Sequence, residues 1–174
     1  MNKTNVIGDI KHADVIAILH NPKSGEKTLI AGKNIVTNAG DQFYAQKVCG
    51  ESPANDFTSL YLTTAGPSTP AKDDDYSDFT VVAGSEKAKS SGYPKTNDAD
   101  PDNPAPGVDI MSWLFEYSGE DGPFTDITHS FIAKAGAGGT DPILNSYKWP
   151  VSFSKGAGVT MKIFHNHQQN GEEA

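Results

Sequence analysis

Val159-Thr-Met-Lys-Ile-Phe-His-Asn-His167 is the stretch of the sequence that decides the fold. Apolar side chains stand at Val159, Met161 and Ile163, and polar side chains stand between them. Successive side chains point to opposite faces of a β-strand, so this alternation predicts a strand with one buried face. The segment Lys155-Gly-Ala-Gly158 in front of it has the composition of a turn.

Segments of similar character precede this strand and are separated by residues typical of turns. They lie at 15–19, 28–37 (with a break at Gly32), 57–63, 79–83, 110–117, 124–133 and 143–153. Trp113, Phe115 and Tyr117 share one face of their segment, which predicts a core position for all three. Strands do not alternate with helices, which argues against a parallel α/β sheet. We predict an all-β fold, either a β-sandwich or a jelly-roll-like barrel of about eight strands.

One short helix is predicted over residues 38–50. Asn38 is a residue type that caps helix starts, Asp41 lies near the start, and Gly50 suits the position after the end. Cys49 is the single cysteine of the chain, so no internal disulfide can form. We expect its side chain to act as a small buried hydrophobe.

Length and charge bound the class of protein. The 174 residues suit one domain, and we divide them into an N-terminal arm at 1–12, a β domain at 13–168 and a polar tail at 169–174. The net charge is −8, and the fourteen basic residues are all Lys. Without Arg, contacts to phosphates and base edges lack their usual donor, so we expect no nucleic-acid partner. No signal pattern or long apolar stretch is present, so we expect synthesis in a cytoplasm and no membrane partner.

The longest segment without periodicity runs from 84 to 107 and contains prolines at 101, 104 and 106. Loops longer than about 12–15 residues are unusual in compact domains and are often functional. Its few apolar residues suggest that it orders only against a partner. We predict that this loop and residues 1–12 carry intersubunit contacts. The residues predicted to bind the partner are Tyr93, Pro94, Lys87, Lys89 and Lys95.

Two patterns suit metal ligation, and both have a simpler explanation. His165 and His167 point to the same side of a strand, but only the distant His129 could be a third ligand. We expect them to be solvated or hydrogen-bonded at a strand end.

Asp98, Asp100 and Asp102 alternate as in calcium-binding loops, but Asn103 and Asp109 stand where such a loop needs Gly and Glu. We therefore expect an acidic, solvated loop. No metal or cofactor is predicted.

No arrangement of residues signals an enzyme. The segment Gly136-Ala-Gly-Gly139 lacks the Lys-Ser/Thr of a phosphate-binding loop and is predicted to be a hairpin connection. No nucleophile elbow is present. A carbohydrate-binding module is an alternative if aromatic side chains form a sugar platform. The candidates for that platform are Trp113, Tyr117, Tyr147 and Trp149.

Several short stretches resemble the virion structural proteins of tailed bacteriophages, of the capsid decoration (cement) or tail-associated type. Asn34-Ile-Val-Thr-Asn-Ala-Gly40 opens the predicted helix. In the second half of the chain, the similar stretches are Ile127-Thr-His129, Gly138-Gly-Thr-Asp-Pro-Ile-Leu144, Phe153-Ser-Lys-Gly-Ala-Gly-Val-Thr160 and Gly171. The resemblance covers about half of the chain.

The resemblance implies a non-enzymatic structural subunit. We expect a capsid decoration protein on the exterior of the virion that binds the major capsid protein, copies of itself, or both, as a homo-oligomer in the particle. A tail or baseplate component is the alternative within the same class of proteins. The resemblance implies no catalytic or cofactor residues.

Overall fold

The structure is a computed structural model that describes residues 3–9, 14–103 and 106–168. This part of the chain forms twelve strands, one α-helix and a 3₁₀ turn at Tyr76–Asp78. The elements are β1 Thr4–Ile7, β2 Val15–Asn21, β3 Glu26–Gly32, β4 Ile35–Val36, α1 Asn38–Val48, β5 Ser59–Ala65, β6 Thr80–Val81, β7 Lys87–Ala88, β8 Lys95–Thr96, β9 Ile110–Tyr117, β10 Phe124–Ala133, β11 Asn145–Lys155 and β12 Thr160–Gln168. The predicted all-β fold of β-sandwich type with one short helix is confirmed, with twelve described strands instead of about eight.

The chain divides into two compact units, each built on one six-stranded sheet. Unit 1 comprises Met1–Lys33, Lys89–Pro123 and Lys155–Ala174, and unit 2 comprises Asn34–Ala88 and Phe124–Ser154. Sheet 1, in unit 1, has the strand order β1-β3-β2-β12-β9-β8. Sheet 2, in unit 2, has the order β4-β11-β10-β5-β6, and β7 also pairs with β5. The segment 28–37, predicted as one interrupted strand, is therefore two strands in different sheets.

Strand β12 lies in the middle of sheet 1, antiparallel to β2 on one side and to β9 on the other. Its predicted buried face is confirmed, since Met161 and Ile163 are buried. Phe164 on the opposite face is buried as well. Sheet 1 therefore buries side chains from both of its faces. The predicted core positions of Trp113, Phe115 and Tyr117 are also confirmed.

The core of unit 2 is aromatic. Phe131 on β10 stacks on Tyr61 of β5, with ring centroids 5.3 Å apart and planes inclined by 16°. Phe79 lies against Phe131 at 4.7 Å. Ala133 and Ile143 complete the buried cluster.

The helix begins at the predicted residue but is capped by its neighbour. Thr37 is the N-cap, and its side chain accepts a hydrogen bond from the backbone N–H of Gly40 (3.1 Å). Asn38 is the first helical residue instead. Gly50 follows the C-cap with φ +72°, the left-handed conformation that glycine adopts readily. The predicted burial of Cys49 is wrong, because its thiol is exposed at the C-cap.

Residues 4–7 of the predicted arm form β1, which pairs with β3 in parallel. The other arm residues at 1–2 and 10–12, and the predicted tail at 169–174, lie outside the described residues. No helix in the described part of the chain has the length and apolarity that a bilayer crossing requires.

Gly40 gives a direct test of how α1 packs within unit 2. A Cβ added to Gly40 would lie 2.1 Å from the backbone oxygen of Leu144 and 2.8 Å from Val36 Cγ1. Gly40→Ala should therefore lower the free energy of unfolding by about 1–3 kcal/mol, despite the better helix propensity of Ala. Urea denaturation measures this change. Gly138→Ala is the control, because an added Cβ meets nothing within 4 Å there; equal stability of the two variants would contradict the packing.

Candidate functional site

The predicted partner loop is ordered against its own sheet. Its residues 89–103 and 106–109, which we call the cap, belong to unit 1. Tyr93 is 7% exposed and lies in a core cluster with Ile16, Ile18, Ala31, Leu114 and Phe164. Tyr93 belongs to the cap. The other five side chains come from four neighbouring strands and lie on one face of sheet 1. The expectation that the loop orders only against a partner is therefore wrong for this part of it.

Asp98 holds the cap together from the inside. Its carboxylate accepts hydrogen bonds from Tyr93 Oη (3.0 Å) and from Asn103 Nδ2 (3.0 Å). It also accepts one from the backbone N–H of Asp100 (3.1 Å). Lys95 Nζ forms an ion pair with it at 2.9 Å, and the Asp98 side chain itself has no solvent exposure. Burial raises the pKa of this carboxyl, but the hydrogen bonds from Asn103 and Lys95 outweigh burial and hold the pKa below its ordinary value.

A chain of buried amides joins this carboxylate to the sheet. Asn103 Nδ2 also lies within hydrogen-bond distance of Ser112 Oγ on β9 (3.1 Å). Asn166 on β12 donates from Nδ2 to Asn103 Oδ1 (3.0 Å). Buried polar groups need partners, and here each side chain supplies one to the next. The cap is thereby fixed to the two strands across which it lies.

Two lysines fix the cap at its acidic side. Lys162 Nζ lies 3.1 Å from Asp100 Oδ2 and 3.0 Å from Asp102 Oδ2. Lys27 Nζ lies 3.2 Å from Asp102 Oδ1. The hydrogen bond from Lys162, followed by that from Lys27, lowers the pKa of the Asp102 carboxyl against the effect of its burial. These groups are partly exposed, so each pair adds little stability, but together they fix the register of the cap.

The alternating aspartates therefore do not form a cation loop. Asp98 points inward to Tyr93, whereas Asp100 and Asp102 face lysines. The expectation of a solvated acidic loop is wrong for Asp98, which is 2% exposed. The described residues contain no group of three or more His, Cys, Asp or Glu side chains that could hold a metal ion.

The five predicted contact residues take different positions. The Tyr93 ring belongs to the core of unit 1, so its ring is not available as a surface anchor. Lys89 Nζ donates to Tyr93 O at 2.7 Å, within the cap. Lys95 Nζ lies 4.2 Å from the centre of the Tyr93 ring and is partly exposed. Pro94 is half-buried, and Lys87 lies half-buried on β7 of unit 2.

Part of the cap is exposed at its outer surface, and we call this part the rim. Its exposed residues are Lys95, Thr96, Asn97 and Val108. Asn97 N–H donates to Gly107 O at 2.8 Å, which joins the two ends of the rim. Val108 is 79% exposed and gives the rim an apolar side chain. The rim is a polar and apolar surface held by the network beneath it.

His165 and His167 lie on the other face of sheet 1 from the cap, and both are buried. They are not solvated, contrary to one of the alternatives expected from the sequence. Their ring centroids are 6.3 Å apart. Burial lowers the pKa of His167 to about 4, and burial followed by the charge of His167 lowers the pKa of His165 well below its ordinary range. His129 belongs to unit 2, where its Nε2 lies 2.9 Å from Pro67 O.

The aromatic residues considered for a sugar platform are all core residues. Trp113, Tyr117, Tyr147 and Trp149 are each 3% exposed or less. Tyr147 and Trp149 pack edge to face at 4.5 Å. None of the four presents a ring face to solvent, which stacking on a sugar requires.

The sequence reasoning missed the residues that receive the cap. No sequence pattern had indicated the four residues concerned, which are Ser112, Asn166, Lys162 and Lys27. Lys162 and Asn166 lie on the same face of β12 as the buried Phe164. Polar side chains on both sides of a buried aromatic residue could have indicated that another segment covers this face.

Of the stretches that resemble phage virion proteins, 34–40, 127–129 and 138–144 lie in unit 2, 153–160 runs from the end of β11 to the start of β12, and Gly171 lies outside the described residues. Residues 34–40 contain β4 and the first turn of α1, 127–129 lie in β10, and 138–144 connect β10 to β11. The hairpin connection predicted for 136–139 lies in that same connection. No family model, curated protein or solved structure matches the chain.

Removing the charge of Asp98 should loosen the cap. In Asp98→Asn, an NH₂ group replaces one carboxylate oxygen. This group would face hydrogen-bond donors and find no acceptor, and Lys95 would lose its ion pair. We expect a loss of about 2–4 kcal/mol in the free energy of unfolding and faster amide hydrogen exchange across residues 93–103. Asp73→Asn, at an exposed aspartate of unit 2, is the control and should change neither. Unchanged exchange in Asp98→Asn would refute the anchoring role.

The buried histidines should make the protein sensitive to mild acid. The folded state lowers the pKa of His167 from 6.5 to about 4, so below pH 6.5 the unfolded chain binds more protons than the folded one. The free energy of unfolding should have its full value above pH 6.5 and should fall as the pH decreases towards 4. His167 alone should account for a loss of about 3 kcal/mol. Urea denaturation between pH 7.5 and pH 4.5 should show this slope. His167→Gln should reduce this slope and leave the part that His165 contributes, whereas His20→Gln, at a half-buried histidine, should not change it. Parallel curves for all three proteins would contradict the prediction.

Proposed function

We propose that this chain is a non-enzymatic structural subunit of a tailed-bacteriophage virion, acting as a capsid decoration protein. In this role it sits on the exterior of the shell and binds the major capsid protein through contact area. The observation that carries the proposal is the rim, an exposed surface of polar and apolar groups on a base held by buried hydrogen bonds. The resemblance of several stretches to virion structural proteins supports the same class.

A surface of this kind suits the binding of a partner protein without catalysis. Its backbone is held by Asp98, Asn103 and Asn166 before any partner arrives, so binding does not have to order it. Lys95 supplies a positive charge, and Val108 supplies apolar area that a partner can cover. Fixed, mixed surfaces of this kind are typical of partners that change little in shape when they bind.

The net charge of −8 also fits the exterior of a shell. An acidic protein is repelled by packaged DNA and remains on the solvent side. The one basic side chain of the rim is Lys95, and it favours an acidic group on the shell protein as its contact. Salt should weaken such a contact, because exposed charges are screened.

The experiment uses empty shells of the phage that encodes the chain. Wild-type protein should co-sediment with shells and raise their melting temperature. Val108→Asp should weaken binding at least tenfold, because it removes apolar area from the rim and adds a negative charge that an acidic contact on the shell repels. Val48→Asp is the matched control, since Val48 is 84% exposed on α1 of the other unit and should behave as wild type.

Two outcomes would overturn the proposal. One is no binding of the wild-type protein to shells. The other is electron microscopy of intact particles that places the subunit only on the tail or baseplate, the alternative expected from the resemblance.

A further inference from the structure

One residue of the rim has a backbone conformation that is usual for glycine and uncommon for other residues. Asn97 has a φ of +48°, in the left-handed region. Among the described residues, nine glycines have a positive φ, and Asp126 of unit 2 is the one other residue that shares it with Asn97 (φ +53°). Asn tolerates this conformation better than most residue types, and Gly adopts it readily. Position 97 can therefore lose its side chain and keep its backbone.

Hydrogen bonds and a strand pairing fix the backbone on both sides of Asn97. Thr96, which precedes it, lies in β8 and pairs with Met111 of β9. The Asn97 N–H donates to Gly107 O at 2.8 Å. Asp98, which follows it, is held inside the cap. The Cα atom of Asn97 therefore has a fixed place at the outer surface of the cap, and its side chain is exposed there.

The amide group of Asn97 makes no hydrogen bond within the part of the chain that the structure describes. The amides beneath the rim are paired, as Asn103 and Asn166 are with each other. Asn side chains in turns commonly bond to nearby backbone groups, and Asn97 does not. Its Oδ1 and Nδ2 atoms are therefore both open to a partner.

The other groups of the rim discriminate less between partners. Val108 can be covered by any apolar side chain. Lys95 Nζ is already paired with Asp98 at 2.9 Å and lies over the Tyr93 ring at 4.2 Å. The Thr96 hydroxyl can rotate to donate or to accept. An amide, in contrast, presents an acceptor and a donor side by side, and a group that matches one of them alone leaves the other unpaired at a cost.

We propose that Asn97 determines the specificity of the rim by pairing its side-chain amide with an uncharged amide group of the shell protein. The inference rests on the proposed capsid function and adds the chemistry of the contact to it. Oδ1 of Asn97 accepts from an N–H of the partner, and Nδ2 donates to a C=O. Both groups occur in the protein backbone and in the side chains of Asn and Gln. A shell protein that presents a carboxylate or an apolar side chain at this point would bind more weakly.

The test compares Asn97→Gly with the wild-type protein in binding to empty shells of the phage that encodes the chain. Glycine keeps the left-handed backbone and removes the amide, so the melting temperature of the free protein should stay within about 4 °C of the wild-type value. Hydrogen exchange across residues 93–103 should be unchanged. The Kd for shells should rise about five- to a hundredfold, because the partner amide loses its donor and its acceptor.

Asp126→Gly is the matched control. Asp126 has the same backbone conformation, is exposed and lies in unit 2, so its loss should leave shell binding as in the wild type. Salt gives a second readout. The fold-change caused by Asn97→Gly should be the same at about 0.05 M and about 0.5 M salt, because amides carry no charge, whereas exposed charges are screened over this range.

Alanine substitution of exposed Asn and Gln residues of the shell protein identifies the source of the partner amide. A substitution that weakens binding of the wild type but not of Asn97→Gly assigns the amide to that side chain. If no substitution does so, the amide belongs to the backbone of the shell protein.

Four results would overturn the inference and leave the capsid proposal standing. They are wild-type affinity of Asn97→Gly for shells, an equal loss in Asp126→Gly, a loss that shrinks with salt, and faster hydrogen exchange across residues 93–103 in Asn97→Gly, which would attribute the loss to a disordered cap. Failure of the wild-type protein to bind shells would instead overturn the capsid proposal, and with it the contact proposed for Asn97. Val108→Asp separates the two cases, since it should weaken binding whichever result Asn97→Gly gives.

Discussion

The order of the cap depends on one buried carboxylate. Asp98 has no exposed side-chain surface, so its charge has to be met by donors within the protein. The donors come from Tyr93, Lys95, Asp100 and Asn103, which lie before and after it in the cap. A single side chain thus binds cap residues that precede it and cap residues that follow it in the chain. The Tyr93 ring fills the apolar space beneath. A segment with few apolar residues acquires fixed geometry by this route.

Strand β12 shows how one strand serves two environments. Its even-numbered residues Lys162, Phe164 and Asn166 meet the cap, through an ion pair, an apolar contact and an amide hydrogen bond. Its odd-numbered residues, including His165 and His167, lie on the opposite buried face. The period of two that predicts the strand also separates the groups that anchor the cap from the groups that respond to pH. Acid and loss of Asp98 should therefore destabilise the same unit through different faces.

What the sequence predicted well is what local pattern encodes. Strands β9 and β10 were predicted with the bounds that the structure has, because their apolar runs are long and end at turn residues. The order of the cap was not predictable in this way, because its contacts join residues far apart in the chain, such as Asn103 with Asn166 and Lys27 with Asp102. No local window contains both partners. Cys49 was misplaced for a different reason: the helix is short and weakly amphipathic, so its buried face could not be assigned from spacing alone.

Order in the free protein changes how the cap can contribute to binding. Ordering a flexible loop costs about 1–2 kcal/mol per residue, which a partner would otherwise have to offset. Here the sheet beneath the cap has already offset that cost, through Tyr93, Asp98 and Asn103. In the proposed capsid role, substitutions in the buried network and substitutions on the rim should therefore weaken binding for different reasons. The former restore the ordering cost and also lower stability, whereas a rim substitution at Val108 removes contact and leaves stability unchanged. Measuring both quantities for each variant separates a residue that shapes the surface from a residue that touches the partner.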